Sequence, residues 1–181
     1  MKVISMTLLT AAAAWSAALA SGPLVVARIR HVELSDGLMV LAAQATASKV
    51  LKSAGVQLLW DQCKPGAATI DIEMDVEAGP GFHPRALAYA MPFAKGTGAR
   101  IHIFRDRIQN PPWLPSGTIL AYVLAHEIAH VLEGIDAHSD VGVMKAYWNY
   151  ADYIAMRENR LEFSAEDLDS IRRGRLVSGW R

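Results

Sequence analysis

The feature that most constrains this chain is His126-Glu127-Ile128-Ala129-His130, two histidines four apart with a glutamate directly after the first. It lies in a stretch that follows the rigid connector Asn110-Pro111-Pro112-Trp113-Leu114-Pro115, with Ser116 placed to cap a helix running to about Glu133. Side chains four apart in an α-helix are separated by about 40° around the axis and roughly 6 Å along it. Both imidazoles can therefore reach one metal ion from the same face. Glu127 is turned about 100° from His126, beside a metal rather than on it. From there a carboxylate can take a proton from a water that zinc acidifies to a pKa of about 7.

A catalytic zinc needs a third protein ligand and an open fourth position. A straight helix would carry that ligand away, so a break is required. Gly134 ends the helix, and the chain returns at His138-Ser139, with Gly142-Val143-Met144 shortly after. His138 is the candidate third ligand. Asp136, Asp140, Glu158 and Glu162 are the competing donors, the last two expected on a second helix. Asp136 or Asp140 can also hold the outer nitrogen of a ligating histidine. Tyr147 and Tyr150 are placed either to stabilise a developing oxyanion or simply to pack, and Trp148 reads as core.

Composition bounds the class. A length of 181 residues suits one domain, and 52% hydrophobic residues argue against disorder. Eighteen basic against eighteen acidic side chains argue against a nucleic-acid binder built on a basic stripe. One cysteine excludes a disulfide framework and a cysteine-rich zinc cluster. Cys63 itself reads as a small buried residue beside Trp60.

At the N-terminus, Met1 and Lys2 precede an apolar run from Val3 to Ala20 that closes on Ala18-Leu19-Ala20 before Ser21. That pattern reads as a secretory signal peptide over residues 1–20, leaving residues 21–181 as the working domain, outside the cell or in the periplasm. No cysteine sits at the cleavage point to take a lipid, and no later segment reads as a membrane span.

Between leader and site the pattern alternates between strand and helix periods. Strands are expected over Leu24–His31, Val56–Trp60, Thr69–Asp75, Ala86–Met91 and Arg100–Phe104. In Thr69–Asp75, Ile70, Ile72 and Met74 share one face, and Asp71, Glu73 and Asp75 form a solvated stripe on the other. His102 is expected to be exposed on its strand. A helix is expected from Asp36 to Ala54, on the spacing of Leu38, Leu41, Ala42, Ala45, Leu51 and Ala54, with Gly55 as terminator. Glu77–Arg85 is loop, and Lys95-Gly96-Thr97-Gly98 a turn. Ser164-Ala165-Glu166-Asp167 has the form of a capping box opening a last helix that stops near Gly174. The whole is a single α/β (α+β) domain.

His126-Glu127-x-x-His130, Gly134, His138-Ser139 and Met144 resemble the metzincin metalloproteases, and the His-Ser pair the matrixins among them. The chain is also similar to small secreted bacterial proteins with an HExxH…HS…GIM-type run. The resemblance implies a mixed, mainly parallel sheet with a long backing helix, an active-site helix and a C-terminal helix. It implies that His126, His130 and His138 hold one catalytic Zn2+, that Glu127 is the general base, and that Met144 is the methionine of a turn beneath the site. It implies a peptide or protein substrate along an edge strand, for which Ala86–Met91 is the candidate. The spacing departs from the metzincin pattern, which places glycine three and the last histidine six positions after the second helix histidine. Here the intervals are four and eight. A secreted zinc metalloendopeptidase is thus the expected function. A secreted, catalytically inactive zinc-binding interaction module is the alternative.

Overall fold

In the computed structural model the described residues are 24–177, apart from 66, 76, 78, 92–98 and 109–110. The run read as a leader and the expected Lys95–Gly98 turn lie outside them. The elements run β1 Leu24–Arg30, α1 Gly37–Ser53, β2 Gln57–Trp60, β3 Ala68–Asp75, β4 Ala88–Met91, β5 Ala99–Phe104, α2 Ser116–Glu133, α3 Tyr150–Arg157 and α4 Ala165–Val177. The five strands form one sheet in the order β2-β1-β3-β5-β4. All neighbours are parallel except β4, which closes the edge antiparallel to β5 with Ala88 opposite Ile103 and Met91 opposite Arg100. The mixed, mainly parallel α/β domain expected from the sequence is what the chain forms.

Strand alternation divides the sheet into two faces. Val25 and Ala27, Ile70, Ile72 and Met74, and Ile101 and Ile103 join one core with Leu51 of α1 and Leu120, Leu124 and Ile128 of α2. The opposite face carries charge, but the acidic stripe of β3 is paired rather than left to water. Arg30 lies 3.6 Å from Asp71, His31 Nδ1 lies 2.7 Å from Glu73, and His102 Nδ1 lies 2.7 Å from Asp75. His102 is accordingly half-buried, stacked on Tyr89 with ring centroids 4.8 Å apart. β1, the residue just after it and β5 supply partners for the carboxylates of the stripe, which alternation within one strand cannot reveal.

The backing helix α1 buries the C-terminal end of the expected stripe, Leu51 and Ala54, but not its leucines at the start. Val40, Ala43, Ala47 and Leu51 are buried, whereas Leu38 and Leu41 are exposed. This helix has apolar residues nearly all round, so periodicity alone does not choose a side. Close approach does: Gly117 of α2 meets the backbone of Met39 and the Ala42 methyl, and the small Ala43 and Ala47 are what such packing admits. Gly55 takes its expected left-handed conformation (φ 76°) just past the helix.

Helix α2 is enclosed along nearly its whole length. Every residue from Ile119 to Glu133 is buried, between α1, β4, β5, α3 and α4. Ser116 is its first helical residue, and Pro115 is the extended residue before it. The cap assigned to Ser116 is therefore corrected: proline sets the entry with its fixed φ. At the other end Gly134 (φ 69°) stops the helix and returns its N–H to the His130 carbonyl.

The C-terminal helix opens as predicted, with Ser164 and Asp167 exchanging capping hydrogen bonds. It does not stop at Gly174. Any side chain there would strike the backbone of Leu132 and Glu133, so this glycine is the point where α4 presses against α2, and the helix continues to Val177. Among the described residues no helix is long and apolar enough to cross a membrane.

Candidate metal centre

Helix α2 brings His126 and His130 to one face, their rings edge-to-face with centroids 4.6 Å apart. Each is held from behind by a main-chain carbonyl. His126 Nδ1 lies 2.9 Å from Val143 O, and His130 Nδ1 lies 3.2 Å from Ile135 O. A carbonyl only accepts, so each Nδ1 carries the hydrogen and each Nε2 of the neutral ring is left with a bare lone pair. These two Nε2 atoms face one another at 3.0 Å. Two lone pairs at that distance repel unless a cation lies between them. Tetrahedral zinc with Zn–N bonds of about 2.0–2.1 Å would set them only slightly further apart.

His138 completes the set. Its ring centroid lies 5.3 Å from that of His126 and 4.9 Å from that of His130, and one donor atom from each of the three falls within 4.8 Å of the others. Burial keeps the helix pair in ligand form. The loss of water, reinforced by His130, drives His126 down to about 3, and burial followed by the nearby His138 lowers His130 as well. Three imidazoles that line one cleft with converging donor atoms fit an open three-histidine zinc site.

The longer spacing is absorbed by the turn. Gly134 reverses the chain, and the next residue, Ile135, spends its carbonyl on His130. The loop then reaches His138, whose neighbour Ser139 is anchored twice. Its N–H donates to Met144 O at 2.9 Å, and its hydroxyl donates to Asp167 at the start of α4. The Val143 N–H donates to Glu162 O at 3.0 Å, while Gly142 (φ 76°) lies so close to that carbonyl that no side chain fits. Met144 is buried within the core.

The competing donors are elsewhere. Asp136 lines the cleft without joining the histidines; Asp140 is exposed. Glu158 follows the last turn of α3 and pairs with Arg160, and Glu162 lies between helices, so neither is on the helix expected for them. Cys63 is exposed rather than buried against Trp60. Nor do Asp136 and Asp140 hold the outer nitrogens of His126 and His130. The carbonyls of Val143 and Ile135 do this, and every residue has a carbonyl, so no residue type marks them in the sequence.

A cleft of about 1100 Å³ opens over the histidines, with β4 on one side and the segment from Lys145 to Tyr153 on the other. β4 is shorter than the expected Ala86–Met91 because Ala86 turns its carbonyl to Arg107. Trp148 packs against the core as expected and also walls the cleft, half-buried and edge-on to His126 at 5.7 Å. Tyr147 lines the cleft, whereas Tyr150 packs against Trp113 outside it. Tyr153, unnoticed in the sequence, also lines the cleft, its phenol raised by burial and then by Asp152. It sits on α3, whose Asn149-x-x-Asp152 capping box was a readable signal. Glu127 is buried at the cleft; desolvation, aided by Asp136, pushes its carboxyl up to about 8.

In architecture the chain is similar to a metzincin of known structure. The chain resembles the crystal structure of archaemetzincin from Methanopyrus kandleri with a TM-score of 0.51 and 13% sequence identity, over 85% of this chain and 96% of that one. At that identity the likeness speaks for the fold. No protein-family model matches the sequence, and no curated protein does either.

Proposed function

We propose that this protein is a secreted zinc-dependent metallopeptidase whose single zinc is held by His126, His130 and His138. The observation that carries the reading is the pair of Nε2 lone pairs 3.0 Å apart, each fixed by a carbonyl behind its ring. The archaemetzincin-like fold supports it, and so does the leader-like run before Ser21. When bound, zinc supplies a Lewis acid at the scissile carbonyl and acidifies water.

The chain's own groups do the rest. Glu127 stands beside the histidines, buried and basic for a carboxylate. It takes the proton of the attacking water and hands it to the leaving amine. Peptide lies in the cleft along the free edge of β4, where backbone groups of an antiparallel edge strand are open to a further strand. A metal site used only to bind or brace has no need of a buried base at this position. Tyr147 and Tyr153 wall the cleft opposite β4.

Metal content and cleavage test this together. The purified domain is expected to hold one equivalent of zinc and to cut peptides. Glu127→Gln is expected to keep the zinc and lose about 10²- to 10⁴-fold in kcat. Zinc without cleavage by either form leaves an inactive binding module. Export is read separately, from an N-terminus at Ser21 in protein recovered outside the cytoplasm.

A further inference from the structure

The loop ahead of β4 is fastened at several points. Arg107 donates to His83 O at 2.8 Å and to Ala86 O at 2.9 Å. The Ala86 N–H turns back to His83 O, and the Arg85 N–H donates to His83 Nδ1 at 3.2 Å. Phe82 stacks on Tyr89 of the edge strand at 4.6 Å. Such a loop presents its side chains in fixed positions.

What it presents to the cleft is Arg85. The guanidinium lies over the Tyr147 ring, 5.7 Å from its centroid, reaching from the β4 side of the cleft to the wall after Met144. His83 meets the same ring, with centroids 5.7 Å apart. The three side chains thus join the two sides of the cleft at one place. The other cation on the wall, Lys145, is neutralised by Asp152. Among the described residues Arg85 has no carboxylate partner. A guanidinium lying over an aromatic face keeps its in-plane N–H donors free, and their fork matches a carboxylate in two parallel hydrogen bonds.

We propose that Arg85, braced over Tyr147, is a specificity-determining residue that receives a carboxylate of the peptide substrate. The inference rests on the peptidase reading and names the substrate chemistry of that same cleft. The carboxylate comes either from an acidic side chain or from the peptide's C-terminus.

The test uses zinc-loaded protein carrying Glu127→Gln, so that peptides bind uncut, at about 0.15 M salt to screen long-range attraction. Fluorescent alanine-rich hexapeptides are prepared with a C-terminal acid or amide, and with one Asp or Asn moved through each position. At least one carboxylate-bearing form is expected to bind about tenfold tighter than its neutral counterpart. That advantage is expected to fall below about twofold with Arg85→Gln and to survive Arg172→Gln, which removes an exposed charge of α4. Preference for the free acid alone assigns the C-terminus as the source. Preference for Asp at one position, amide or not, assigns a side chain. Equal binding of charged and neutral peptides overturns the inference, as does an advantage that outlasts Arg85→Gln or is lost equally with Arg172→Gln. Absence of peptide binding, with no cleavage by the Glu127 protein, overturns the peptidase reading and this inference with it.

Discussion

The candidate metal centre is assembled from two halves that obey different rules. His126, Glu127 and His130 ride on a helix, and their relation follows from 3.6 residues per turn. His138 rides on a loop between Gly134 and Met144 that has no periodicity at all. Its position is set by a bond within the loop, Ser139 to Met144, and by contacts far away in the chain, Ser139 with Asp167 and Val143 with Glu162. The helix half is enclosed by the whole domain. The loop half hangs on a few hydrogen bonds to the beginning of α4. One half is therefore robust to single changes and the other is exposed to them.

The largest break expected is at Gly142. An alanine there must tolerate a positive φ and collide with the Glu162 carbonyl. Gly142→Ala is expected to destabilise by about 3 kcal/mol or more, read from urea unfolding. Gly134→Ala has the same φ problem with open space around it, and about 1–2 kcal/mol is expected. Equal costs would mean that the loop half is no more tightly packed than the helix end.

Next come the anchors of the loop that carries His138, the proposed third ligand. Ser139→Ala and Asp167→Asn are each expected to weaken zinc binding by roughly 10- to 100-fold, measured by competition with a chelator, while the helical content in circular dichroism stays unchanged. Asp140→Asn, an exposed neighbour outside that network, is expected to change zinc affinity by less than about twofold. A loss with Asp140→Asn as large as with Asp167→Asn would contradict the anchoring account.

The smallest effect sharpens the helix half. Burial, aided by Asp167, raises the Glu133 carboxyl to about 7. A raised carboxyl holds its proton in the folded state longer than in the unfolded one. Its contribution is therefore complete below about pH 4.5 and is lost as pH climbs to about 7. Glu133→Gln is expected to gain stability relative to the natural protein across that window, on the order of 1 kcal/mol, and to gain nothing more above it. A melting-temperature difference that does not change with pH would refute this.

The same contrast explains how much could be read from the sequence. Strand and helix periods located all five strands and the site helix to within two residues, because those signals are local. The choice of buried face on α1 was not local. Leu38 and Leu41 fit a helical stripe, yet Ala43 and Ala47 are the residues inside, since close helix packing selects small side chains. Gly174 misled for the same reason: a glycine is a stop signal in one chain and a contact point between two helices here. The three histidines were legible from residue type and spacing. The carbonyls of Val143 and Ile135 that orient two of them were not, and neither was the Ser139–Asp167 link across 28 positions. Arg85 was hidden too, because only the fold brings it over Tyr147.

The central claim is that one zinc joins the helix half to the loop half through three histidines. Zinc stoichiometry and affinity in the natural protein and in His126→Ala, His130→Ala and His138→Ala test it most directly. The account predicts one equivalent in the natural protein and a loss of at least about 100-fold in affinity for each variant, on the ground that even outer-shell changes cost 10- to 100-fold. Zinc binding indifferent to His138→Ala, or no zinc bound by the natural protein, would contradict it.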